Sequence, residues 1–306
     1  MKILLFGKNG QVGWELQRSL ASLGHLISLD ANSRDYCGDF LQPEGLKQTV
    51  LQLRPDVIVN AAAHTAVDKA ETESAIVRTV NAVAPGVLAQ VAEQVGALLV
   101  HYSTDYVFDG SGETPWQEDD VAVPLNVYGQ TKLESERLVS QYCSRHLIFR
   151  TSWVYGARGG NFAKTMLRMA QERDSLSVIN DQFGAPTGAD LLADITAHAI
   201  LQALHSPEKA GLYHLVAGGC TTWHGYAAFV IEQALRMGVR LKATGEKIQA
   251  VPTIAFQTAA TRPHNSRLNT RKLQQTFGLV LPQWQTGVLR MLQEISGING
   301  YDDEKT

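Results

Sequence analysis

Cysteine is scarce in this chain: its 306 residues contain three, Cys37, Cys143 and Cys220, far apart and without a CxxC pair. Such usage excludes a disulfide framework and a cysteine zinc site, and it fits a reducing cytoplasm. Charge of one sign is also lacking. Lys and Arg number 27 against 30 Asp and Glu, for a formal net charge of −3, so there is no electrostatic footprint for a nucleic acid or an acidic membrane. No apolar run approaches the ~18 residues that cross a bilayer. The opening MKILLFG breaks at Gly7, too soon for a signal-peptide core. Internal repeats and low-complexity segments are missing as well. What remains is the composition of a soluble, intracellular globular protein, 44% hydrophobic and 19% charged, whose expected partner is a small molecule.

The N-terminal half alternates short apolar runs with helical spacing. KILLF (2–6), HLISLD (25–30), DVIVNAA (56–62), ALLVHYS (97–103) and HLIFRTS (146–152) read as buried strands, because a parallel strand covered on both faces needs nearly continuous apolar residues. Helices are predicted between them over 12–23, 43–53, 70–95 and 128–142. This order predicts an α/β fold, a doubly wound parallel sheet of the Rossmann type. After Arg150 the rhythm loosens: helices over 161–172, 189–204 and 225–237, strands at LSVIN and GLYHLVAG, an extended TIAFQTAATRP and a last helix after Pro282. The expected division is a dinucleotide-binding domain over 1–150 with returning segments within about 160–220. The rest of 151–306 would form a smaller α/β substrate lobe, with the cleft between the two. The polar tail GYDDEKT is expected to fray.

GKNGQVG sets Gly7, Gly10 and Gly13 in a GxxGxxG spacing directly after a strand and at the opening of a helix. Glycine permits a tight turn and a close backbone approach to a pyrophosphate, and the helix start offers free N–H groups at the positive end of its dipole. Gln11 and Val12 share that helix start. Asp30, ending the second strand, can accept hydrogen bonds from adenosine ribose hydroxyls and favours NAD. Lys8 and Arg34 lie near enough in sequence to meet a 2′-phosphate, so NADP stays open. Asp39 and Phe40 either border the adenine or form an ordinary loop. Ala62 and Ala63 are small residues where a cofactor passes close to backbone, and His64 beside them is either a cofactor contact or a solvated loop histidine.

VYGQTKLESE carries Tyr128 and Lys132 at i and i+4, on one helix face. A phenol ordinarily titrating near ~10 is a poor acid at neutral pH, and a neighbouring ammonium is expected to bring it down. Thr104, in HYSTDYVFDG, falls at the C-terminal edge of a central strand, where its hydroxyl can polarise a carbonyl. A lone YxxxK pair is a common coincidence; the three signals in this order are far less so.

Through GKNGQVG, STDYVFDG and YGQTK the chain resembles the extended short-chain dehydrogenase/reductases. Within that family the likeness is to enzymes that reduce nucleotide-linked keto sugars. It runs over essentially the whole length, through DVIVNAAAHTAVDKAE, RTSWVYG, DQFGAPTGADL, GLYHLVAGG and RPHNSRLNTRKL. The resemblance implies reduction of a sugar 4-keto group with hydride from NADPH or NADH, and Tyr128 delivering the proton. Lys132 would also hold the nicotinamide ribose, Tyr102 would border the cofactor, and Thr104 would hydrogen-bond the reacting oxygen. Asp105 and Trp153 would border the sugar, although a core aromatic between lobes is an equal reading of Trp153. Arg262 would clamp a pyrophosphate, a surface arginine being the alternative. Some relatives are homodimers that bind magnesium through carboxylates matching Glu15, Asp190 and Glu294. Here an Asp stands at 190 where those relatives carry the longer Glu. Two other readings stay open: a different nucleotide-sugar reductase or epimerase, and a non-catalytic regulatory subunit that keeps the dinucleotide fold.

Overall fold

The computed structural model describes residues 1–297, so the expectation for the GYDDEKT tail lies outside the described residues. Five apolar runs become the strands β1 (Lys2–Phe6), β2 (His25–Leu29), β3 (Val57–Asn60), β4 (Leu98–Thr104) and β5 (His146–Thr151). The Gly211–His214 strand joins them in a six-stranded sheet. Its spatial order is β2, β1, β3, β4, β5 and then Gly211–His214, with every pairing parallel.

Alternation along each strand sorts the core into two layers. Ile3, Leu5, Val57, Val59, Leu98, Val100, Leu147 and Phe149 face one side, against Leu16 and Leu20 of the Gln11–Leu20 helix, the Ala189–His205 helix, and Leu273 and Phe277. Leu4, Phe6, Ile58, Leu99 and Ile148 face the other, against Leu46 and Val50, Leu88 and Val91, and Val139. A strand with apolar residues on both faces has to be covered on both faces, which is the physical content of a doubly wound sheet. The α/β, Rossmann-type fold expected from the sequence is the one observed.

The predicted 70–95 helix departs from expectation. The chain turns after Val67–Ala70, restarts at Ser74 and passes through one π-helical stretch, Thr79–Val83, before Ala84–Val95. Over Ser74–Val95 the mean hydropathy reaches 1.3, enough by length and composition to cross a bilayer. Its apolar face instead lies on the sheet, where Ala84, Leu88, Ala89 and Ala92 are wholly buried. The π stretch turns Asn81 toward the loop after β3. There its amide accepts from His64 N at 2.8 Å and donates to His64 O at 3.0 Å.

Three further helices, Phe162–Glu172, Trp223–Arg236 and Trp284–Ser296, pack with two small sheets. One pairs Leu176–Ile179 with Ile248–Val251 in parallel, and the other pairs Phe183–Gly184 with Thr221–Thr222 antiparallel. Their core is aromatic, with Tyr226 and Trp284 edge to face at 5.8 Å and Tyr155 beside them. The short Arg271–Phe277 helix, absent from the sequence reading, closes over the sheet edge, where Phe277 meets Tyr213 at 5.1 Å. Within the segment expected to be extended, Thr253–Ala255 forms a single 3-10 turn.

Candidate active site

Strand order reverses between β1 and β3, and at such a switch point the loops leaving the C-terminal strand ends part to form a crevice. A cleft of about 450 Å³ opens there. Its walls include Gly10, Gln11 and Val12 after β1, Ala63 after β3, Thr104 and Asp105 after β4, and Trp153 after β5. Tyr128 and Lys132 come in from the Val127–Tyr142 helix.

The glycine loop is built to keep a helix start bare. Gly7 sits at φ 86°, a left-handed conformation that side chains resist, and a Cβ there would lie 2.7 Å from Ala61 C and Ala62 N. A Cβ on Gly13 would lie 2.0 Å from Gly7 O, so the third glycine lets the helix close on the loop. Gly10 caps the Gln11–Leu20 helix without any side-chain hydrogen bond. The first-turn N–H groups are therefore free to bind an anion. A bare helix start beside a cleft of this size fits a dinucleotide.

The other cofactor candidates divide by position. Asp30 is held by Asn9, by Ser33 Oγ at 3.0 Å and by Asn32 N at 3.0 Å, with Lys8 Nζ 3.9 Å away. Asp39 caps its own turn through Leu41 N at 2.9 Å. Phe40 is 5% exposed and edge to face with Phe6 at 5.6 Å. Ala62 donates its N–H to Asn60 Oδ1. His64 is turned from the cleft toward Glu73, 3.4 Å from its Nε2.

The helix carrying Tyr128 is fixed at its first residue. Asn126 Oδ1 accepts from Gly129 N at 2.8 Å as an N-cap, while its Nδ2 donates to Thr261 O at 2.8 Å. Tyr128 packs edge on against Tyr106 at 5.7 Å and lines the cleft with Thr104. Here the structure corrects the electrostatic expectation. Burial raises the Tyr128 phenol to about 12; the Thr104 hydrogen bond pulls it down and the Asp105 carboxylate pushes it up. Lys132 does not lower it, because its ammonium is drawn beneath the helix to Tyr102 O at 2.6 Å. Enclosure in protein lowers Lys132 itself to about 8, with Glu136 opposing that fall.

Beneath Lys132 lies a buried polar array that sequence reasoning missed. Ala62 N–H occupies Asn60 Oδ1, which leaves the Asn60 amide to donate to His101 Nδ1 at 3.0 Å. The network thus assigns the ring proton to Nε2, which donates to Ser135 Oγ at 3.0 Å, and Ser135 donates to Lys132 O at 2.6 Å. Burial, then the Lys132 ammonium 3.3 Å from Nε2, hold His101 well below the usual histidine range, so it is neutral. Farther along the same helix Glu136 binds Arg150 through two bonds, 2.9 and 2.7 Å, and also accepts from Ser103. The one available signal was a polar residue inside the apolar run LLVHYS: a buried imidazole must find partners.

Asp105 is 2% exposed, and burial raises its carboxyl to about 7. Trp153, at φ 50°, stacks on Trp223 at 3.7 Å, and Trp223 donates its indole N–H to Gln182 Oε1 at 3.0 Å. The left-handed backbone of Trp153 is costly for a bulky residue and places it on the cleft wall. Trp223 lines the same wall and was another residue not singled out from sequence. Arg262 is engaged by Asp68 through bonds of 3.2 and 2.6 Å and also reaches Tyr106.

The metal candidates do not meet within one chain. Glu15 pairs with Arg18 at 3.2 Å, Asp190 lies 3.7 Å from Arg290, and Glu294 is exposed on the Trp284–Ser296 helix. Among the described residues no group of three His, Cys, Asp or Glu side chains is placed to hold an ion. The three cysteines are unpaired.

A family model described as the RmlD substrate binding domain matches residues 1–296. The chain belongs to this family. A curated relative, the dTDP-4-dehydrorhamnose reductase of Shigella flexneri, is 65% identical over 295 residues, covering 96% of this chain and 98% of the relative. A dTDP-4-dehydrorhamnose reductase from Clostridium acetobutylicum superposes with a TM-score of 0.87 at 34% identity, covering 97% of this chain and all of its own. Another from Bacillus anthracis, solved in complex with NADP, gives a TM-score of 0.85 at 32% identity and covers 96% and 99% of the two chains. The RmlD family likeness therefore spans both the sheet and the smaller helical part, not the dinucleotide fold alone.

Proposed function

We propose that the protein reduces the 4-keto group of dTDP-4-dehydro-β-L-rhamnose to dTDP-β-L-rhamnose, the last step in making this precursor of cell-surface polysaccharide. The observation that carries the reading is the convergence of Thr104, Tyr128 and Lys132 in one cleft beside a bare helix start, in a chain 65% identical to the Shigella flexneri reductase. A nicotinamide dinucleotide fits the Gly7–Gly13 loop, with Gln11, Val12, Ala63 and Tyr102 along it, and supplies the hydride when bound.

The chain's own part is to hold the ketone and to give it a proton. Thr104 and Tyr128 hydroxyls hydrogen-bond the carbonyl oxygen, and both bonds strengthen as negative charge develops on it. Tyr128 then gives up its proton, so the phenol's elevated value matters: the group enters the reaction as a neutral acid. The Lys132 ammonium is anchored at Tyr102 O and offset by Glu136 one turn farther along the helix. It is proposed to hold the nicotinamide ribose. Trp153 and Asp105 border the sugar. Arg262 is a pyrophosphate clamp only if Asp68 yields its place.

Asp30 favours NADH by charge while Lys8 and Arg34 offer cations to NADPH, so the proposal includes both cofactors. Residues 1–150, with returning segments, are proposed as the dinucleotide domain and the remainder as the substrate lobe. For magnesium and a homodimer, Glu15, Asp190 and Glu294 are carboxylates that a second copy of the chain would have to bring together, since each lies apart here. The proposed place of action is the cytoplasm.

The deciding experiment mixes purified protein with dTDP-4-dehydro-L-rhamnose and either NADPH or NADH, with magnesium or a chelator, and follows nicotinamide absorbance. Oxidation that needs both protein and sugar supports the reductase. No oxidation by folded, cofactor-binding protein would move the assignment to another nucleotide sugar or to a regulatory subunit.

A further inference from the structure

Thr104 Oγ1 has one proton and two lone pairs, and the proton and one lone pair are spoken for. Tyr106 N–H donates to it at 3.2 Å, and its own proton goes to Asp105 Oδ1 at 3.0 Å. The Tyr128 phenol lines the cleft beside it. In this arrangement the Thr104 proton that a substrate carbonyl needs points elsewhere. Turning that proton outward while Asp105 is ionised would cost a buried carboxylate one of its two side-chain donors, Thr104 and Ser266.

The groups facing Asp105 leave it free to hold a proton. From its own turn come Thr104 and Tyr106, from the Val127–Tyr142 helix Tyr128, and from the segment after Ala260 the Ser266 hydroxyl. The nearby cations are committed elsewhere: Arg262 to Asp68 and Lys132 to Tyr102 O. Burial accordingly brings the carboxyl to about 7.

We propose that Asp105 is a positioning residue whose protonated form reverses this bond, donating to Thr104 Oγ1 so that the Thr104 hydroxyl points at the substrate carbonyl beside that of Tyr128. Thr104 then accepts from Tyr106 and Asp105 and donates outward, so every position on its oxygen is used. No proton leaves Asp105 in the chemical step; the proton on the new alkoxide comes from Tyr128. The inference rests on the reductase reading above.

The test compares kcat/KM against pH for the wild type and Asp105→Asn, whose amide N–H can donate to Thr104 at every pH. The wild type should lose activity above about pH 7, about tenfold per unit, and Asp105→Asn should lack that limb while keeping one near pH 8 from Lys132. An unchanged limb near pH 7 in the variant overturns the proposal. A second readout needs no turnover: infrared titration of the free protein should show a protonated carboxyl band, absent from Asp105→Asn, that disappears across about pH 6 to 8. If the variant is inactive, absence of that band from the wild type overturns the proposal by itself. Failure of the wild type to oxidise cofactor with the sugar would refute the reductase reading instead, leaving the infrared titration to judge Asp105.

Discussion

Replacing Tyr128 by phenylalanine removes one oxygen, and the structure separates what that oxygen does for folding from what it does for chemistry. The ring keeps its edge-on contact with Tyr106 at 5.7 Å. Thr104 keeps Tyr106 N and Asp105 as partners, so no buried donor is orphaned. The folding cost should be no more than about 1 kcal/mol. Dinucleotide affinity should change by less than about tenfold, since at most one hydrogen bond to the cofactor is at stake. Turnover is another matter. Loss of a positioned proton donor lowers the rate by at least ~100-fold, or about 2.7 kcal/mol in the barrier. Thr104 should preserve some activity through its remaining hydrogen bond. The assay is NADPH absorbance loss at saturating sugar nucleotide, with cofactor affinity read from tryptophan fluorescence and folding from thermal melts. Turnover within about threefold of wild type, in a variant that binds cofactor normally, would refute the proton-donor role. A collapse of both binding and melting temperature would show that the phenol is structural.

Three other perturbations follow from the same geometry. Gly13→Ala puts a Cβ 2.0 Å from Gly7 O, so the helix start must move; calorimetric titration should show at least a tenfold loss of dinucleotide affinity, whereas Gly10→Ala, 3.4 Å from the same oxygen, should fold normally. Lys132 has a folded value of about 8 against an ordinary 10.5, so between these pH values the unfolded chain binds the extra proton and wild-type stability rises with pH. Melts of Lys132→Met should lack that rise, which amounts to about 3 kcal/mol, and a rise unchanged in the variant would refute the assignment to Lys132. Glu136→Gln leaves the buried Arg150 guanidinium, 4% exposed, without its counter-charge and should cost ~3–5 kcal/mol in urea unfolding, while a loss below about 1 kcal/mol would mean that Arg150 finds another partner.

The sheet was legible because its strands bury both faces: KILLF and DVIVNAA have few polar positions to misread, and both became strands of the sheet. The glycine loop was legible for a local reason, since turn, helix start and spacing all lie within seven residues. What stayed hidden depends on partners distant in sequence. His101 was visible as a polar residue in an apolar run, yet Asn60 and Ser135 lie 41 and 34 residues away. Trp223 acquires its place by stacking on Trp153, and the core contact of Phe40 depends on Phe6, 34 residues earlier. The Arg271–Phe277 helix is seven residues long, too short for periodicity to stand out.

Tyr128 and Lys132 show most clearly where sequence spacing stops being informative. A separation of four on a helix settles that two side chains share a face; it says nothing about how far each is desolvated or where its polar end is tied. Tyr102 O captures the ammonium and protein encloses the phenol, so the tyrosine rises instead of falling. The direction suits reduction. An acid that must deliver a proton to a nascent alkoxide needs that proton present at the start, and a phenol at about 12 keeps it throughout the physiological range. The cation beneath, tied at Tyr102 O, is left to serve the nicotinamide ribose proposed for it. The pair therefore divides its work between proton and cofactor, which a motif records only as spacing.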